Sequence, residues 1–259
     1  MPKLAETSVL GLVTAEPSNS QGKQRAAQEG LKTRGYISPT SLPASVFKPY
    51  ITARPVQPAD IDYTMLRSWT EFCEVHHRKT CTRLENTQIP RLRLIDCETR
   101  KVIEEPCGPN KRRYAVMSYV WGLSDKDPTR YKVCPNTGTL PDALPAVIRD
   151  AMKVVLELKL HYLWVDRYCI VQDDEADVLK HMEIMDLIYN HAYVTIVAAA
   201  GKDSSYGLPG VSVPKLKQPV VRIGNDTLVC TLPDPQAAIN ESIWMTRGWV
   251  SPVSNSQSL

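Results

Sequence analysis

The stretch HYLWVDRYCIVQDDEAD (161–177) gathers residue types that could hold a ligand or do chemistry. Asp166 closes an apolar run, Arg167, Cys169 and Gln172 follow, and Asp173, Asp174, Glu175 and Asp177 form a burst of acids. A carboxylate at the end of a buried run needs a partner, which Arg167, a backbone amide or a ligand hydroxyl could supply. The later acids have a plainer reading: they stand where a helix begins, where they cap orphan amides and complement the positive end of its dipole. Ser118 and Cys169 are the nucleophile candidates, yet Ser118 lacks a Gly-x-Ser-x-Gly elbow and neither has an adjacent base in sequence. Cys169 also reads as a small buried thiol, and His161, His181 and His191 have capping or surface readings. In CEVHHRKTC, Cys73, His77 and Cys81 fall at successive helical turns and could share a zinc ion if Cys97 or Cys107 gave a fourth ligand. Against that, the run has no Cys-x-x-Cys knuckle, and Trp69, Phe72 and Cys73 also make a packing face.

The elements that must position these residues follow from periodicity. Ile61, Met65, Leu66, Trp69, Phe72, Cys73 and His76 recur on one stripe of an amphipathic helix. RLRLID alternates apolar and charged residues, and KVIEE reads as its hairpin partner. Tyr114 to Val120 is apolar enough for a strand buried on both faces. LPDALPAVIRDAMKVVLELKL is a helix, with Asp142 as its N-cap, Pro145 near its first turn, and Val147, Ile148, Ala151, Val155 and Leu158 on one face. YLWVD is a second buried strand, EADVLKHMEIMDLIYNHA a second helix and VTIVAAA a third strand. Strand, helix, strand, helix, strand predicts an α/β fold: a parallel sheet with flanking helices joined by right-handed crossovers. VVRIGNDTLVC adds a β-hairpin turning at Gly224, Asn225 and Asp226. In such a sheet ligands bind at the carboxyl ends of the strands. That edge collects Ser118, Tyr119, Trp121 and Gly122, then Asp166, Arg167, Cys169, Gln172 and Asp173, then the loop 201–210. Trp121 could stack on a ligand or lid the core; Trp164, inside its strand, is core.

Composition sets the class. The chain has 259 residues, 43% of them hydrophobic, and a net charge of +3, which offers no strong field for nucleic acid or membrane. No apolar run approaches the ~20 residues that cross a bilayer. Seven cysteines, an odd count without a secretion signal, read as reduced thiols of a cytoplasmic protein. Residues 1–59, rich in Pro, Ser, Ala and Lys, read as a disordered tail.

With these segments laid out, the chain resembles the fungal heterokaryon incompatibility (HET) domain family. The matching runs are WTEFCEVHHRKTC, YAVMSYVWG, YLWVDRYCIVQDDEADVLKHMEIMDLIYNHAYVTIVAAAG, GLPGVS and WMTRGW, in family order over about residues 66–249. They contain Trp164, Asp174, Gly207, Leu208, Pro209, Gly210, Arg247, Gly248 and Trp249. The resemblance implies a part in non-self recognition and the cell death that follows fusion of incompatible hyphae, through self-association or pairing with another death-pathway protein. It also implies a distant likeness to the TIR domain, a flavodoxin-like βαβαβ sheet that can self-associate and, in some members, cleaves NAD. That likeness is fold analogy. NAD would then be the ligand that Asp166 and the loop 118–122 help to hold. The family pattern after RGW continues as a helix carrying Gln-Glu, the glutamate placed similarly to the catalytic acid of TIR NAD-cleaving enzymes. Here the chain reads RGWVSPVSNSQSL, without that glutamate. The expectation is a HET domain over 60–250, incomplete at its end, with a disordered 251–259, no catalytic residue, and association rather than catalysis as its business. A TIR-like NAD-cleaving enzyme and a zinc-stabilised binding module are the competing readings.

Overall fold

The computed structural model describes residues 37–39, 55–57, 60–77, 89–104, 112–122, 132–215, 218–230 and 235–246. In chain order they form β1 (Ile37–Pro39), α1 (Tyr63–His76), β2 (Arg93–Asp96), β3 (Lys101–Glu104), β4 (Tyr114–Ser118) and α2 (Ala146–Glu157). Then follow β5 (Tyr162–Trp164), α3 (Asp166–Cys169), α4 (Glu175–Glu183), α5 (Met185–His191) and β6 (Val194–Val197). β7 (Val220–Ile223), β8 (Asp226–Cys230), α6 (Pro235–Asn240) and a 3-10 turn at Ile243–Thr246 complete the described chain.

The larger sheet has the order β3-β2-β5-β4-β6. Its three central-to-edge strands β5, β4 and β6 are parallel, with Val116 opposite both Trp164 and Thr195. The fold is therefore α/β with a parallel βαβαβ core. All five residues of β4 are buried, as a continuous apolar run between two neighbours requires. The Tyr114 hydroxyl donates to the Ile188 carbonyl at 2.7 Å and the Tyr189 hydroxyl to Met117 at 3.2 Å, fastening α5 to this strand. Val147, Ile148, Ala151 and Val155 bring α2 into the same core, each large aliphatic contributing roughly 1.5–3 kcal/mol of burial.

The hairpin β2–β3 is present, but it extends the main sheet, because β2 also pairs antiparallel with β5. Leu94 and Ile95 are consequently both fully buried, where simple alternation would expose one. The second hairpin, β7–β8, forms a separate small sheet with β1.

Five expectations need correction. Helix α2 starts after Pro145 and not at Asp142: Pro145 holds φ at −53° and restricts Leu144 before it, so Asp142 and Ala143 lie in a bend ahead of the helix. The expected single helix over 175–192 is two helices that meet at Ile184, whose φ of −109° leaves the helical range. Residues 37–39, inside the expected tail, pair with Leu228 to Cys230; a three-residue strand is too short to announce itself by period. Most of 1–59, and all of 251–259, lie outside the described residues. His181 and His191 are buried and not superficial, because each ring nitrogen Nδ1 meets the carbonyl four residues back, at 2.8 Å. Finally, Trp69 and Phe72 of α1 are 57% and 54% exposed, so they do not make the packing face read with Cys73, although Ile61, Met65, Leu66 and Cys73 of the same stripe are half-buried. Among the described residues no helix is long and apolar enough to cross a membrane.

Candidate functional site

The carboxyl ends of β4, β5 and β6 do converge. Asp166 opens the short helix α3 directly after β5, and its carboxylate accepts from the Arg167 amide at 2.7 Å. Its two oxygens also accept from the Trp121 indole N–H, at 3.1 and 3.0 Å. The Arg167 guanidinium lies 5.1 Å from the centre of the same indole. Trp121 is thus held at its edge by an anion and on its face by a cation, each preferring the part of the ring it meets. The partner that Asp166 needs comes from the chain itself: a backbone amide and an indole. Gln172 donates to the Asp166 and Ile170 carbonyls at 2.9 and 3.3 Å, tying down the α3–α4 connection. Asp173 stands further out, exposed, with Lys132 at 2.6 Å.

The first loop is pinned against the third. Gly122 has φ +87°, and a Cβ there would collide with Asp203, so only glycine lets the two loops approach this closely. Ser118 and Tyr119 are buried, 8% and 1% exposed. The Ser118 hydroxyl accepts from the Trp244 indole at 2.9 Å, which seats the 3-10 turn over the end of β4. Arg247, Gly248 and Trp249 follow that turn but lie outside the described residues.

The GLPG run owes its shape to Asp150 of α2. This carboxylate is 4% exposed and accepts from the Leu208 amide at 2.7 Å and from the Ser212 hydroxyl. Gly207, at φ +82°, passes so close that a Cβ would stand 2.8 Å from Asp150 Oδ2. The Ser204 carbonyl accepts from Val147 at 3.1 Å, meeting one of the orphan amides of α2. Pro209 and Gly210 complete a tight turn in which the Gly210 amide reaches the Val213 carbonyl at 2.6 Å.

Of the acids that follow Asp166, Asp174 is the N-cap of α4, accepting from Ala176 and Asp177. Asp177 differs from the capping role first assigned to it: it is buried, pairs with Arg93 and accepts from the Val171 amide at 2.8 Å. Arg93 also donates to the Cys169 carbonyl at 2.7 Å, so β2, α3 and α4 are joined through one guanidinium. Trp164 is fully buried, edge-on to Tyr189.

The thiols separate by environment. Cys169 is fully buried and burial pushes its thiol up to about 12, while Cys97 is pushed higher still by the same cause. Cys134 is exposed, and hydrogen bonding from Thr137 and then from the Asn136 and Thr137 amides lowers it. Iodoacetamide at pH 8 should therefore label Cys134 well before Cys97 or Cys169 in the folded protein, as mass spectrometry of timed digests would show; early labelling of Cys169 would contradict its burial.

Cys73 and His77 sit at the end of α1, and Cys81 lies outside the described residues. Among the described residues no three His, Cys, Asp or Glu side chains come together as metal ligands would. Sequence reasoning missed Arg93, Asp150, Asp203 and Trp244. Asp150 had a visible signal, a charge set between the apolar Val147, Ile148 and Ala151 on a buried helix face.

A family model described as heterokaryon incompatibility protein (HET) matches residues 114–251, more than half of the chain. The match begins at β4 and includes every loop of the site just described. Neither the curated proteins nor the solved structures give a match.

Proposed function

Because the chain belongs to the heterokaryon incompatibility (HET) family, we propose that it acts in fungal non-self recognition and cell-death signalling, and does so by associating with other protein rather than by catalysis. The observation that carries the second half of the reading is the state of the carboxyl edge. Among the described residues there, the Asp166 carboxylate is engaged by Trp121 and the Arg167 amide, and the Ser118 hydroxyl is covered by Trp244. Cleaving a glycosidic bond in a nucleotide asks for an acid aimed at open space, ready to meet charge as it develops. Residues that hold one another in this way suit a rigid platform that presents its surroundings to a partner.

The test has two arms. Expression of the chain in hyphae should trigger growth arrest or death that depends on intact surface helices. Purified protein incubated with NAD should yield no nicotinamide above the buffer rate, and an Asp166→Asn variant should be indistinguishable from it. NAD turnover that Asp166→Asn abolishes would replace this reading with the catalytic one.

A further inference from the structure

Helix α1 and the residues just ahead of it rest on the body by a few contacts that one motion would release. The Asp60 carbonyl accepts from the Lys215 ammonium at 2.5 Å, and Arg67 donates to the Glu157 carbonyl at the end of α2 at 2.6 Å. Glu74 pairs with Arg113 at 3.1 Å, with both side chains exposed. Between these ties Ile61 lies against the GLPG turn, since a Cβ on Gly210 would stand 2.9 Å from Ile61 Cγ1, and Tyr63 packs against the core. No residue of α1 is fully buried.

The forces that hold this segment down are weak. An exposed ion pair contributes little, and the apolar residues that it covers, Ile61, Tyr63, Met65, Leu66 and Cys73, are only half-buried. The Tyr63 hydroxyl is buried without a hydrogen-bond partner among the described residues, which weighs against the seated position. Burial, and then the carboxylates of Glu157, Asp150 and Asp60, push its ionisation up, so only the neutral phenol suits that place. Once lifted, the segment has little to keep it helical. Asp62 caps the first turn, accepting from the Met65 amide at 3.0 Å, yet an isolated helix of 14 residues is marginal in water. The main sheet, by contrast, is built around β4 with all five of its residues buried, and it includes no residue of α1.

We propose that residues 60–76 are a clasp over the GLPG turn that opens as one unit while the sheet stays folded. Opening melts α1 and bares Gly210, and the turn is then held from within, by the Asp150 bonds to the Leu208 amide and the Ser212 hydroxyl. Such an opening is a local transition, set by the few contacts of the segment itself and lying well below global unfolding. The clasp precedes the matched residues 114–251, whereas Glu157, Gly210 and Lys215, which it grips, lie inside them. It is a device added to the matched body that controls access to one of its loops, and it does not depend on how the domain signals.

Amide hydrogen exchange of the full chain in graded urea, below the unfolding transition, tests the clasp. Amides 67–76 and Gly210 should exchange together, at least about a hundredfold faster than those of β4 and with a far shallower dependence on urea, because opening the clasp exposes little surface. Two variants separate the clasp from the body. Arg67→Ala with Glu74→Ala removes two ties without lowering helix propensity, and should speed exchange at 67–76 by about tenfold. Ile188→Val trims a fully buried side chain of α5 and should speed exchange in β4 by roughly threefold or more. It should leave 67–76 and Gly210 unchanged, since the contacts of Ile188 persist when the clasp is open. Amides 67–76 as slow and as urea-dependent as those of β4, or accelerated equally by Ile188→Val, would show that α1 unfolds only with the whole domain and would overturn the proposal. Exchange at 67–76 at the rate of an unfolded peptide would overturn it too, because no closed clasp would then exist. So would a double variant at Arg67 and Glu74 without effect. Gly210 slow while 67–76 are fast would overturn the covering of the turn.

Discussion

Replacing Asp177 with asparagine should destabilise the folded chain by about 3 kcal/mol at neutral pH. The substitution keeps the size of the side chain and one oxygen that the Val171 amide can still reach, but it strands the charge of Arg93. Removing one partner of a buried ion pair costs about 3–5 kcal/mol, and the Arg93 side chain, 21% exposed, retains some water, which places the effect at the low end. The pair also carries a pH signature. Burial alone would raise the Asp177 carboxyl; the Val171 amide and then Arg93 together outweigh it and hold the group below its ordinary 3.8. A carboxyl depressed in the fold stabilises fully above the unfolded value and loses that contribution as pH falls through the folded one. Urea unfolding of wild type and Asp177→Asn should therefore differ most above about pH 4 and converge on further acidification. A difference that stays constant with pH, or one under 1 kcal/mol throughout, would mean that the Arg93 contact contributes little.

Asp150→Ala should be comparably damaging, at about 2–4 kcal/mol, for another reason. The lost carboxylate leaves the buried Leu208 amide without an acceptor, and the Ser212 hydroxyl loses its own. Both donors reach the same oxygen, Oδ2, and no salt bridge pairs Asp150 with a cation among the described residues. An asparagine that turns its carbonyl to that position should consequently restore most of the loss, to within about 1 kcal/mol of wild type. This is the opposite of the behaviour expected at Asp177, where charge matters as much as shape. Hydrogen exchange at Leu208 gives the local readout: fast in Asp150→Ala, slow in Asp150→Asn. Equal damage from the two substitutions would show that the anion itself is required.

Continuous apolar runs made β4 and β5 legible, because a strand covered on both faces has no polar positions to confuse with a helix. The βαβαβ order followed from them, and with it the edge where Asp166, Trp121 and Gly122 meet. The rest depended on contacts distant in sequence. Nothing in EADVLKHMEIMDLIYNHA marks a break at Ile184, since the buried Asp177, His181, Ile188 and His191 keep a helical spacing straight across it. Asp177 was read as a cap because it lies in the first turn of a helix, and only Arg93, 84 positions earlier, makes it a buried ion. The stripe on α1 was recognised, but periodicity reports that one side is apolar and not how much of that side is covered. Trp121 and Asp166 were each singled out, while their bond to one another spans 45 positions and has no local trace.

The bond between Trp244 and Ser118 sets a schedule as well as a shape. The two residues are 126 positions apart, and at about 5–20 residues per second a ribosome needs roughly 6–25 s to make the chain between them. For that interval the end of β4 waits for the indole that will cover it, although the rest of the strand can already pair with β5 and then β6. The nascent domain thus passes through a stage with an assembled sheet and an uncovered strand end, during which a chaperone or another nascent chain has access to a surface that the finished protein hides.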